Sequence, residues 1–207
     1  AGLSKIFASL GAAATVEGGQ TKNPSTQDIL NSFADLPTDK VIILPNNKNI
    51  IMAANQAKEV TVKQVVVVPS RTVPQGLAAM LSLNPEGELE AIADKMTKAL
   101  SDVKTGEITV AVRSVEIEGV KVETGQVIAL LDGKLVASTG SLEEGCLALL
   151  DKADADEHEL ITLFYGENLS HVEANRIADL IRQSYPSQEV EVQEGGQSHY
   201  QFIVSVE

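Results

Sequence analysis

The sequence has no tryptophan, one cysteine and only 3% aromatic residues over 207 positions. A single thiol, Cys146, excludes an internal disulfide and fits a reducing compartment, so a cytoplasmic location is expected. No apolar run reaches the roughly 18 residues needed for a membrane-spanning helix, and no secretory signal pattern opens the chain. Basic residues are scarce: 16 Lys and Arg stand against 29 Asp and Glu, a formal net charge of −13. Such a surface suits neither nucleic acid, whose affinity comes from cations neutralising phosphates, nor an anionic membrane. Solubility is its plainest role, and steering toward a basic patch on a partner protein is the other.

Catalytic and metal-ligand spacings are also missing. His158, His171 and His199 stand apart, without His-x3-His, His-Glu-x2-His or Cys-x2-Cys. Neither Gly-x4-Gly-Lys-Ser/Thr nor Gly-x-Ser-x-Gly occurs. No catalytic, cofactor or metal residue is therefore assigned, and catalysis by this chain alone is not expected. His158 falls in the acidic stretch Asp151–Glu159, read as a solvated linker. His171 reads as an exposed first-turn residue. Cys146 shares an apolar helical line with Leu142, Leu149 and Leu150 and reads as a buried thiol.

What is present is an α/β pattern. The 43% hydrophobic fraction supports one large domain or two small lobes. In the first half, Ala12–Glu17 reads as a short strand, and Ser25 with Asp28 as the N-cap of a helix running to about Ala34. Val41–Leu44 and Gln64–Val68 read as strands covered on both faces. Helices are expected over Asn47–Lys58, after Thr72-Val73-Pro74-Gln75 with its capping-box spacing, and over Glu88–Asp102. That order implies a parallel sheet with right-handed crossovers. Beyond Thr105 short strands dominate: Glu107–Arg113, Val115–Val122, Val127–Leu131 and Lys134–Ser138, with Asp132-Gly133 as a hairpin turn. A helix opened by Ser141…Glu144, strand Leu160–Tyr165, a helix opened by Ser170…Glu173, and strands Glu189–Gln193 and Tyr200–Val206 follow. Two lobes are expected, a parallel α/β lobe over 1–104 and a mixed α+β lobe over 105–207. The opening Ala1–Phe7 reads as the middle of an element, so a longer parent protein is expected.

Ligands of open parallel sheets bind at the carboxyl ends of the strands. Two polar loops qualify, Pro45–Asn49 and Pro69–Gly76. Asn46, Asn47, Lys48 and Asn49 in the first, with Arg71, Thr72 and Gln75 in the second, offer amides, cations and helix N-termini suited to a carboxylate or phosphate. Asn47 and Thr72 are equally good helix caps, so a purely structural role stays open. Glu17-Gly18-Gly19-Gln20-Thr21 recurs as Glu194-Gly195-Gly196-Gln197-Ser198. These are two ordinary glycine turns or two walls of a shared site, which would add Gln20, Thr21, Gln197 and the adjacent His199.

Three runs also carry a resemblance: Glu17–Thr26, Ile43-Leu44-Pro45-Asn46-Asn47-Lys48-Asn49-Ile50 onward to Ala54, and Val68-Pro69-Ser70-Arg71 onward to Ala79. With Phe164-Tyr165-Gly166-Glu167 and Gly195–Tyr200, they resemble the C-terminal region of the bacterial fatty acid kinase ATP-binding subunit, the DAK2-domain or dihydroxyacetone-kinase-like family, over essentially the whole chain. The resemblance implies a two-lobed DegV/dihydroxyacetone-kinase-like fold. It places ATP and magnesium in a separate N-terminal domain and dimerisation in a middle domain. It implies engagement of a DegV-like subunit that carries the fatty acid, in making acyl phosphate for phospholipid synthesis. The Ser-Gly-Thr loop of DegV-like carriers is here Asn46-Asn47-Lys48-Asn49, and their His-x-Gly-Pro-Gly pattern is Ser198-His199-Tyr200-Gln201. Those departures imply a related fold used for docking.

Overall fold

The computed structural model describes residues 2–19, 22–117 and 120–207. The chain divides between Val103 and Lys104 into two compact units. The opening turn of helix α1 (Gly2–Ser9) groups with the second unit.

The first unit is built on two short strands, β1 (Lys40–Ile43) and β2 (Gln64–Val67), paired in parallel with Val41 opposite Val65. Around them lie helices α2 (Thr26–Ala34), α3 (Ile51–Val60), α4 (Val73–Leu81) and α5 (Leu89–Ala99). Strand side chains alternate between faces, and here both faces are covered. Val41, Ile43, Val65 and Val67 pack with Ile29, Phe33, Ile50, Ala54 and Ala57. Ile42, Leu44, Val66 and Val68 pack with Ala79, Ala93, Met96 and Leu100. That double burial is why the valine-rich strands read as continuous apolar runs.

The second unit holds a six-stranded sheet in the order β7 (Lys134–Thr139), β6 (Val127–Leu131), β3 (Lys104–Val110), β10 (Phe202–Val206), β8 (Leu160–Tyr165), β9 (Glu189–Glu194). The sheet is mixed: β8 and β9 run parallel, joined through helix α7 (His171–Ser184), and the other neighbours are antiparallel. Helices α6 (Leu142–Lys152) and α7 bury Cys146, Leu149, Leu150, Ile177 and Ile181 against Ile108, Leu163, Phe202 and Val204. Close approach of α6 needs Gly106, where an added Cβ would lie 2.2 Å from Leu149 Cδ2. Asp132 and Gly133 both have positive φ, 49° and 82°, the backbone a tight β6–β7 hairpin requires.

Four expectations are corrected. Ala12–Glu17 forms no strand; its small residues bury too little area to hold one, and the segment lies largely exposed. Helix α3 starts at Ile51 rather than Asn47, because residues 47–50 form a turn closed by the Ile50 N–H on Asn47 O at 3.0 Å. Val115–Val122 is a hairpin of β4 (Val115–Ile117) and β5 (Val120–Val122), with residues 118–119 outside the described ones. Asp151–Glu159 is not a linker. It holds the end of α6 and a 3-10 turn at Ala155–Glu157, anchored by buried Ala153 and Ala155. No described helix is long and apolar enough to cross a membrane.

Candidate functional site

The loops after β1 and β2 are joined by two hydrogen bonds between Ser70 and Asn46. Ser70 is completely buried; its hydroxyl donates to Asn46 Oδ1 at 2.8 Å and accepts from the Asn46 N–H at 3.0 Å. Asn46 adopts φ 55°, a left-handed conformation that asparagine tolerates better than most residues. Its amide rests against Gly76 in the first turns of α4, where an added Cβ would lie 2.0 Å from Asn46 Oδ1. The other amides also turn inward. Asn47 Oδ1 accepts from the Asn49 N–H at 2.9 Å, so Asn47 closes the turn before α3, which itself has no side-chain cap. Thr72 caps α4, accepting from the Gln75 N–H at 3.3 Å. Gln75 Oε1 accepts from the Arg71 N–H at 2.8 Å, and its amide nitrogen donates to Leu100 O at 3.2 Å.

Outside this bonded layer, Lys48, Asn49 and Arg71 are exposed. Among the described residues neither Lys48 nor Arg71 has an ion-pair partner. The two cations border an open groove of about 710 Å³ along α3, lined also by Ile51, Met52, Asn55, Gln56 and Glu59. Met52 is 72% exposed. Sequence reasoning missed this face and the buried role of Ser70. Met52, Gln56 and Glu59 share one helical side by their spacing, but nothing local marked that side as uncovered.

The glycine turns behave differently from one another. Gln20 and Thr21 lie outside the described residues. Before them, the Gly19 N–H donates to Lys22 O at 2.9 Å. In the second turn, the N–H groups of Gly195 and Gly196 both reach Tyr165 O at 3.0 Å, and Gly195 O accepts from the Leu3 N–H at 3.0 Å. Gln197 Nε2 donates to Phe164 O at 2.8 Å, which makes that side chain a brace between the turn and β8. His199 is exposed, and its carbonyl accepts from Thr109 Oγ1 at 2.8 Å. The two glycine N–H groups this turn could have offered a ligand are thus used internally.

Among the described residues no group of three potential metal ligands is found. Burial pushes the Cys146 thiol up to about 12, so it stays protonated at neutral pH. Arg176 beside Glu143 holds that carboxyl below its ordinary range. Charge divides unequally between the units: residues 4–103 carry nine basic and ten acidic side chains, residues 104–207 seven and nineteen. The deficit of positive charge therefore lies almost wholly in the second unit.

A family model for the C-terminal region of proteins like the A component of fatty acid kinase matches residues 1–207. The chain belongs to that family. Protein YloV of Bacillus subtilis is 40% identical over 206 residues, covering 100% of this chain and 37% of its own length. This kinase-family chain therefore spans little more than a third of that relative. Its fold is shared with a DegV family protein, Cg2579 of Corynebacterium glutamicum, at a TM-score of 0.68 and 17% identity over 98% of this chain and 91% of that one. The Streptococcus pneumoniae fatty acid kinase B3 protein, solved with linoleic acid, matches at 0.61 and 11% identity, over 99% and 83% of the two chains. The native dihydroxyacetone kinase of C. freundii matches at 0.59 and 11% identity, over 89% and 42%. The two-lobed α/β fold expected from the sequence is the DegV and dihydroxyacetone kinase fold.

Proposed function

We infer that this chain is the docking region of a fatty acid kinase, engaging the DegV-like subunit that carries the fatty acid. ATP and magnesium chemistry, homodimerisation and formation of acyl phosphate for phospholipid synthesis are assigned to the longer protein, acting in the cytoplasm. The observation that carries this reading is the closure of the strand-end loops. Asn46 is tied to Ser70, Gln75 to the Arg71 N–H and Leu100 O, and Asn47 to its own turn. The Asn46, Asn47 and Gln75 side chains at the strand ends are engaged within the protein, while Lys48, Arg71 and Met52 face outward. Arginine and methionine are side-chain types enriched in protein interfaces.

Calorimetric titration of a DegV-like subunit, loaded with one long-chain fatty acid, into the full-length protein tests the reading. Saturable binding is expected; absence of heat and of co-migration on gel filtration would overturn it. A second reading rests on the same two cations, which suit a free carboxylate or phosphate. Lys48→Ala and Arg71→Ala should then weaken binding of fatty acid or inorganic phosphate, and unchanged affinity counts against it.

A further inference from the structure

We propose that the outer edge of β9 seats an extended segment that precedes this region in the longer protein, added to the six-stranded sheet as a further strand parallel to β9. The proposal stands apart from the docking reading, because it concerns how the region is joined to the rest of its own chain. Three observations carry it.

The first is an edge with open backbone. β9 ends the strand order, with β8 on one side and, among the described residues, no strand on the other. Successive residues of a strand point their backbone groups to opposite sides. The N–H groups of Glu189 and Gly195 reach Glu159 O and Tyr165 O, at 2.9 and 3.0 Å, so the odd-numbered residues face β8. Val190, Val192 and Glu194 therefore face outward. Arg182 Nη2 donates to Val190 O at 2.8 Å and closes that end. The open stretch runs from Val192 to Glu194 and meets Gly195.

The second is where the chain enters. The Leu3 N–H donates to Gly195 O at 3.0 Å, next to the open stretch. Gly2 lies so close that an added Cβ would stand 1.9 Å from Glu194 O. Backbone thus already lies on backbone where β9 finishes. The family match is to a C-terminal region, and it spans only 37% of YloV, so a long stretch precedes this region in such proteins. Polypeptide reaching Gly2 along the β9 edge finishes where β9 finishes, which makes it parallel.

The third is side-chain chemistry. Val190 and Val192 pack with the core, while Glu189 and Glu191 are exposed on the opposite face of the sheet. The occupant therefore alternates apolar residues beside the valines with polar or basic ones beside the glutamates. A second copy is a poor occupant. Edge against edge, the Glu189, Glu191 and Glu194 carboxylates of the two chains would face one another. A segment tethered at Gly2 also carries the high effective concentration of an intramolecular contact. Such a strand fixes the preceding part of the protein to the sheet of the second unit.

The test uses the full-length protein. Hydrogen exchange resolved to single amides should find Val192 and Glu194 about a hundredfold slower than unstructured chain, alongside Glu191 and Gln193. Fast exchange at Val192 and Glu194 between slow neighbours would mean an open edge and overturn the proposal. Glu191→Cys, at an exposed position, is then combined with single cysteines placed in turn at the residues immediately ahead of Ala1. Disulfides within one chain are expected at alternate positions only, because alternate side chains share a face. No disulfide at any position, or equal yield at all of them, overturns the proposal. A disulfide between two chains, seen as doubled mass without reductant, gives the edge to a second copy and overturns it too. Each of these results leaves the docking reading untouched.

Discussion

Ser70 and Asn46, 24 positions apart in the sequence, exchange two hydrogen bonds at 2.8 and 3.0 Å and so fasten the loops at the ends of β1 and β2 to each other. Because Ser70 is fully buried, Asn46 is its means of satisfying the hydroxyl. Ser70→Ala leaves the Asn46 N–H and carbonyl without that partner and should cost about 1–3 kcal/mol in a denaturant titration. A loss near zero would mean that packing alone sets the loop.

Gly76 leaves the space that Asn46 fills. In Gly76→Ala the new Cβ would sit 2.0 Å from Asn46 Oδ1, so the asparagine must be expelled. Overpacking of this kind costs about 1–3 kcal/mol. Asn46→Gly removes the clash and accepts φ 55° without strain. The double variant should therefore be more stable than Gly76→Ala alone, by urea midpoint; two additive losses would show that the residues do not compete for one space.

The thiol of Cys146 gives a signed pH dependence. Burial raises its pKa from 9.0 to about 12, so the folded state holds the proton more tightly than the unfolded state. Its contribution to stability is complete below pH 9 and declines as pH rises toward 12. Tyr200, pushed up by burial and by Glu107, adds to the same alkaline decline. Thermal midpoints between about pH 8 and 10.5 should fall less steeply in Cys146→Ala, despite a lower value at neutral pH from the void. An unchanged slope would place the whole effect on other groups.

Two capping boxes act at the acid end. Ser25 with Asp28, and Ser170 with Glu173, exchange side-chain and backbone bonds that hold both carboxyls below their ordinary values of 3.8 and 4.5. A lowered folded value gives stability that is complete above the ordinary value and fades as pH falls through the lowered one. Ser170→Ala should lower the thermal midpoint at about pH 6 and lower it less at about pH 2.5. A constant difference at both values would assign the loss to helix propensity instead of the cap.

These boxes were legible because a cap is local: Ser25, Thr72, Ser141 and Ser170 each accept from the N–H three residues on, as their spacing promised. Asp132-Gly133 was legible for the same reason, since the two-residue hairpin turn that Asp-Gly favours takes positive φ at both positions, as found here. Where local chemistry was ambiguous the reading failed. Asn47 can cap a helix or close a turn with equal ease, and the bond from Asn49 chose the turn. Ala12–Glu17 looked like a strand only until a partner strand was required.

The sequence by itself determined the alternation of strands and helices, the buried valine runs and the family of the chain, because these depend on periodicity and on motifs a few residues long. Only the tertiary structure decided which polar side chains were spent and which were left over. Asn46, Gln75 and the amide nitrogen of Gln197 are occupied by partners 24 to 33 positions away. Lys48, Arg71 and Met52 remain outside. A hydrogen bond between distant residues has no period, so the loops' recognition surface emerged only when folding had consumed the rest.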